Sequence, residues 1–139
     1  LAVNASNVEV SDISPANQSS SRITFDSLGF GDAGELSITT QQLSVLNGGR
    51  ISARTGGTGQ GGIISINATG TVQVSGTAAN GQASTIDFSS SGSGNARGIR
   101  LDTTGQLTLQ DGGQVTVSGT GTGISGNIEV IADSIALIN

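Results

Sequence analysis

The residues of this chain that could do chemistry are few and scattered. Its ten carboxylates are Glu9, Asp12, Asp26, Asp32, Glu35, Asp87, Asp102, Asp111, Glu129 and Asp133, and its basic side chains are Arg22, Arg50, Arg54, Arg97 and Arg100. General acid–base chemistry, glycoside hydrolysis included, needs two carboxylates, or a carboxylate and a base, set together in a cleft. No such grouping is visible in the spacing. The absence of histidine removes imidazole triads, imidazole metal sites and a proton switch near neutral pH. The absence of cysteine removes a thiolate nucleophile, thiolate zinc ligands and a disulfide framework. Asp26 and Arg54 are expected to approach each other on one face, with Asp87 nearby, and a solvated ion pair is the ordinary account of such neighbours. With no Trp or Tyr there is almost no aromatic platform for a sugar ring. The sequence therefore assigns no catalytic, cofactor-binding or metal-binding residue, and the chain is not expected to be an enzyme.

Glycine patterns come closer to known motifs. Gly57-x-Gly59-x-x-Gly62 and Gly121-x-Gly123-x-x-Gly126 both fit GxGxxG. A dinucleotide site needs those glycines after a strand and at the start of a helix that meets the phosphate. Here an alternating β triplet follows instead, so the glycines are expected at a corner. Gly61-Gly62 and Gly112-Gly113 also resemble calcium-binding nonapeptide repeats, but the ligating aspartate is missing after both. Asp102 and Asp111 near one corner fall short of the roughly six to eight oxygens calcium takes. Asn4-Ala5-Ser6, Asn17-Gln18-Ser19 and Asn67-Ala68-Thr69 are sequons, a pattern frequent by chance in so polar a chain. Asn4 and Asn67 are expected to point outward, in a column with Thr39 and Asp102. Outward rows through Ser37, Ser65, Ser44 and Thr108 suggest an ice-binding surface, but Glu9, Gln73, Arg100 and Glu129 interrupt them. Five arginines, no lysine and a net charge of −5 argue against nucleic acid as a partner. No apolar run reaches the roughly 20 residues needed to span a bilayer. The chain starts directly in strand pattern without a signal peptide, as expected of a segment of a larger protein.

Internal repetition shows which elements must hold these residues. Leu1-Ala2-Val3-Asn4-Ala5-Ser6 returns as Ile64-Ser65-Ile66-Asn67-Ala68-Thr69, and Phe25 returns as Phe88, both 63 positions on. Val8-Glu9-Val10-Ser11 matches Val72-Gln73-Val74-Ser75. Gly34–Gly62 matches Gly98–Gly126, with Asn47-Gly48-Gly49 becoming Asp111-Gly112-Gly113. Ile128-Glu129-Val130 and Ile135-Ala136-Leu137 begin a third copy. Apolar-x-apolar triplets bounded by Gly, Asn or Asp mark half-buried strands, and no helical spacing of apolar residues occurs. With 23 glycines, one proline and three phenylalanines, any core is aliphatic, which suits stacked strands.

These patterns predict one all-β domain over 1–139, a parallel β-helix (β-solenoid) of about four to five coils with three strands per coil. The coils are expected at roughly 1–33, 34–62, 63–98, 99–126 and 127–139. The first face would stack Leu1/Leu36/Ile64/Ile99/Ile128 and Val3/Ile38/Ile66/Leu101/Val130. The second would stack Val8/Leu43/Val72/Leu107/Ile135 and Val10/Val45/Val74/Leu109/Leu137. The third would stack Ile23/Ile51/Ile86/Val115 and Phe25/Ala53/Phe88/Val117. The loops Asp12–Arg22 and Gly76–Thr85 leave at equivalent points and are the expected protruding surface.

The run GDAGELSITTQQLSVLNGGRISARTGGTGQGG, followed by IISINATGTVQVSG, strongly resembles repeats of filamentous-haemagglutinin-like exoproteins of two-partner secretion systems. The resemblance covers essentially the whole chain and is a repeat phrase, not a catalytic motif. It implies a right-handed parallel β-helix, exported by a partner outer-membrane transporter and used at the bacterial cell surface, often in adhesion. That family's amino-terminal secretion domain, with its NPNG-type signatures, has no counterpart here, so the resemblance implies a shaft segment. The expectation is a secreted structural or adhesive segment that contacts neighbouring coils of the same larger protein and presents its loops to surface glycans or to another cell. The alternative is a carbohydrate-active or carbohydrate-binding parallel β-helix module.

Overall fold

In the computed structural model, which describes residues 1–139, the chain is all β. Its ten strands are β1 (Ala2–Ser11), β2 (Arg22–Ser27), β3 (Glu35–Leu46), β4 (Arg50–Thr55), β5 (Ile63–Ala68), β6 (Val72–Ser75), β7 (Thr85–Ser90), β8 (Gly98–Gln110), β9 (Gln114–Gly119) and β10 (Asn127–Ile138). There is no helix, and so none long and apolar enough to cross a membrane. The strands form two parallel sheets. One has the order β1-β3-β5-β8-β10, with β6 beside β3 and β8; the other has the order β2-β4-β7-β9.

The registers reproduce the predicted columns. In the first sheet Val3 pairs with Ile38, Ile38 with Ile66, Ile66 with Leu101, and Leu101 with Val130. Val8, Leu43, Val72, Leu107 and Ile135 form another unbroken row. In the second sheet Phe25, Ala53, Phe88 and Val117 are successive partners. Large beside small lets Phe88, 1% exposed, fill the space left by Ala53. These aliphatic rows merge into one core of 19 buried residues between the sheets. Burying each such side chain contributes about 1.5–3 kcal/mol.

The strands differ from three per coil in one respect. The first two predicted triplets of a coil run on as a single strand in β1, β3, β8 and β10, and separate only at β5 and β6. Burial changes phase within the long strands β1 and β3. Along β3 the buried residues are Leu36, Ile38 and Thr40, then Leu43 and Val45, so the alternation slips by one at Gln41–Gln42. Backbone pairing continues through that slip while the buried side of the strand changes phase. The next two layers carry an extra residue there, Gly70 and Gly105. Gly105 lies so close over Gly70 that a Cβ would enter the Gly70 carbonyl.

Polar side chains line the inner side of this bend, which the apolar pattern did not reveal. Ala5, Thr40, Ala68, Thr103 and Ala132 are register partners, alternating methyl and hydroxyl. Buried Thr40 sets its single O–H between the carbonyls of Gln42 (2.8 Å) and Ser6 (3.1 Å), and Thr103 donates to the Gly70 carbonyl. Carbonyls that a bending strand would leave unpaired are thereby satisfied. Both sheets end in unpaired edges, β1 and β2 on one side and β9 and β10 on the other. Along β10, Ile128, Ile131, Ile135, Leu137 and Ile138 are exposed.

Candidate functional site

The corner between the first sheet and the second takes two forms. In the compact layers it is a four-residue β-turn. Gly49 N–H donates to the Leu46 carbonyl (2.8 Å), and Gly113 N–H to that of Gln110 (2.9 Å). Asn47 and Gly48 have φ of 50° and 87°, and Asp111 and Gly112 have 51° and 85°. Two successive positive φ values explain the Asn-Gly and Asp-Gly pairs. In the other two layers the chain leaves at the same height, at Asp12 (φ 64°) and Gly76 (φ 85°), into loops. Each loop is closed by an antiparallel bridge, Ile13 to Ser20 in one and Thr77 to Ala83 in the other.

Ser84 ties the second loop to the turn beneath. It is fully buried; its hydroxyl donates to the Ser75 carbonyl (2.6 Å) and accepts the Gly48 N–H (3.0 Å). The loops also meet each other across the intervening layer. Ser20 Oγ bonds Gln82 Oε1 at 2.6 Å, and Asn80 Nδ2 donates to the Gln18 carbonyl at 3.3 Å. Together they wall a groove of ≈ 610 Å³ whose floor is the outer face of the second sheet. A second cleft of ≈ 230 Å³ shares Arg22, Arg50, Asp87 and Ser89 with the groove and carries it past Asp26 and Arg54.

Charge organises this floor. Arg50 meets Asp87 with both oxygens, Nε to Oδ1 at 2.6 Å and Nη2 to Oδ2 at 2.8 Å. The pair is diagonal: the register partner of Arg50 on β7 is Thr85, and that of Asp87 on β4 is Ser52. Asp87 is 8% exposed although it points away from the core, because the arginine covers it. The hydrogen bond that Arg50 donates to Asp87 raises the Arg50 pKa above its ordinary value; burial opposes this, and the charges of Asp87 and Asp26 reinforce it. A raised basic pKa stabilises the fold wherever arginine is protonated in the unfolded chain, which includes the whole range around neutrality. Arg22 is the register partner of Arg50 on β2 and makes no ion pair. Two guanidinium groups therefore leave adjacent strands about 4.8 Å apart, and only one is neutralised.

The sequence expectations divide on this face. Asp26 and Arg54 are register partners, as expected, but form no ion pair; Asp87 lies one layer on, bonded to Arg50. The other carboxylates are dispersed. Asp32 caps a corner by accepting the Gln60 N–H (2.7 Å), Glu9 accepts the Ser11 hydroxyl, and Asp102 and Glu129 share Arg100. The Arg100 pKa is raised chiefly by its hydrogen bond to Glu129. No three acidic side chains come together as a metal site would require. Asn4, Thr39, Asn67 and Asp102 do share one outward row.

The GxGxxG glycines lie at the corner between the second sheet and the next strand of the first. Gly57 stacks on Gly29 and Gly92 on Gly57, while Gly59 stacks on Gly31 and Gly94 on Gly59, each so closely that a Cβ would strike a backbone carbonyl. Strands β5 and β10 follow the two motifs, so no helix N-terminus is offered to a phosphate. The Arg50–Asp87 diagonal and the joined loops were missed by sequence reasoning. The signal available was two loops leaving the repeat at the same point beside a face that carries three of the five arginines. No family model matches the chain, and no curated protein or solved structure matches it.

Proposed function

We propose that this chain is a shaft segment of a large secreted bacterial surface protein, with a structural and adhesive role. In this reading it is a right-handed parallel β-helix, counted as three faces per coil, and the loops Asp12–Arg22 and Gly76–Thr85 are its presented surface. The observation that carries the reading is the set of apolar columns that stay in register through both sheets, on either side of the extra residue at the bend. Each layer buries its aliphatic residues against its neighbours, and stability in such a stack is a sum of nearest-neighbour terms. The aliphatic edge of β10 is then the place where a further layer stacks. The repeat phrase resembling filamentous-haemagglutinin-like exoproteins adds the expectation of export through a partner outer-membrane transporter.

Catalysis has no part in the proposal. Asp87 is held by two hydrogen bonds from Arg50, which leaves Asp26 alone, so the groove offers no free pair of carboxylates to act as acid and base. The polar groove favours a binding module as the second reading. Antibodies raised against this chain should label intact cells of its source, and the full-length protein should image as a rod. Labelling only after permeabilisation, or a compact globular particle, would sink the shaft reading.

A further inference from the structure

We infer that the groove on the outer face of the second sheet binds a linear acidic oligosaccharide, with a sugar carboxylate seated between Arg22 and Arg50. The inference deepens the presented-surface part of the proposed function and rests on it for the ligand's access to the groove. Three features of the groove identify the chemistry. The first is the charge left over. Arg22 and Arg50 are side by side in register, an arrangement that is unfavourable unless an anion lies between or beside them. Asp87 neutralises Arg50 and fixes its guanidinium plane, while Arg22 has no protein partner. Arginine's planar fork matches a carboxylate in two-point geometry. The chain as a whole carries −5, yet this face sets Arg22, Arg50 and Arg54 against only Asp26 and Asp87.

The second feature is the lining. Around the charged centre stand hydroxyls and amides, among them Gln18, Ser20, Gln82, Thr85, Ser89 and Thr116, and the main groove has one apolar lining residue, Ala83. An apolar side chain finds no pocket there. A polymer with hydroxyls along its length finds a partner at each step, and a neutral sugar finds no aromatic face on which to stack. The third feature is shape. The groove continues into the smaller cleft across successive strands, and its floor is the face of a sheet, not an edge. A peptide therefore cannot add to it as a strand.

The test is titration of the folded 139-residue protein with an oligogalacturonate, beside the matched neutral galactan and an oligoglutamate. The oligogalacturonate should bind, more weakly as salt rises, while the neutral chain does not bind and the oligoglutamate binds markedly less. Arg22→Ala should weaken oligogalacturonate binding about tenfold or more, the scale of one lost charge-assisted contact. Arg97→Ala removes the same charge outside the groove and should leave binding as it was. Arg22 is exposed on an edge strand, so melting of Arg22→Ala should match the parent and exclude unfolding as the cause. Equal loss in the two variants, equal affinity for oligoglutamate, or binding of the neutral galactan as tight as that of the uronate would each overturn the inference. So would no oligogalacturonate binding at all, yet that result would leave the rod and cell-labelling tests of the shaft reading intact. Failure of those tests alongside groove binding would overturn only the shaft.

Discussion

The layer that turns at Asn47-Gly48 and the layer that opens at Gly76 share their apolar columns and differ at their corners. Leu43 and Val45 lie in register with Val72 and Val74, and Ile51 and Ala53 with Ile86 and Phe88. What changes is that a four-residue turn in one becomes, in the other, a loop reaching the neighbouring loop two layers away. The difference teaches that the columns set stability and spacing, whereas a site can be added at a corner without disturbing either. Surface loops tolerate such elaboration because closing a longer loop costs little extra entropy.

The strongest way to break the comparison is to damage what the two layer types share. Leu107 is 2% exposed and lies in register between Val72 and Ile135. Leu107→Asp places a carboxylate in that column with no cation or donor beside it, costing about 3–5 kcal/mol. The cooperative thermal transition should vanish, whichever corner type lies nearest. Melting like that of the parent would mean that the column is not the common support of both layers.

A smaller effect tests whether the loop corner leans on the turn corner. Ser84→Ala removes the acceptor for the Gly48 N–H, while the Ser75 carbonyl keeps the Asn47 N–H at 3.0 Å. One buried donor is left unpaired, at a cost of about 1–3 kcal/mol. Thermal unfolding should shift down with cooperativity retained, and amide exchange at Gly48 should accelerate. Acceleration confined to the loop, with Gly48 unaffected, would show that the two corners are independent.

The interior was legible because two local signals agree. Alternation fixes which residues face inward, and Asn47-Gly48 or Asp111-Gly112 fixes where each strand stops, so the register follows without further information. The Val3, Val8 and Phe25 rows are backbone register pairs from end to end. The bend was less legible, because hydrogen bonding runs through Gln41–Gln42 while burial changes phase, and the threonines that satisfy it read as polar surface. The groove was legible only as a place. Arg50 and Asp87 are not register partners, and their meeting depends on side-chain reach across a diagonal. The walls depend on loop contacts, Ser20 to Gln82 and Asn80 to Gln18, made between segments 62 residues apart. No periodic pattern encodes such pairs.

The mildest perturbation sharpens the contrast between the corners. Gly49 in the turn has the Val10 carbonyl where a Cβ would go, so its lack of a side chain is a packing requirement. Gly81, at the tip of the loop, has open space around it but φ of 85°. Gly81→Ala therefore costs only the left-handed backbone conformation, about 1–2 kcal/mol, because the new methyl group itself meets no neighbouring atom. A slight drop in melting temperature should accompany a measurable change in the Ser20–Gln82 contact, read by chemical shifts at Gln82. If the drop instead equals that of Ser84→Ala, the tip is as tightly coupled to the stack as the loop base, and the groove wall is part of the scaffold.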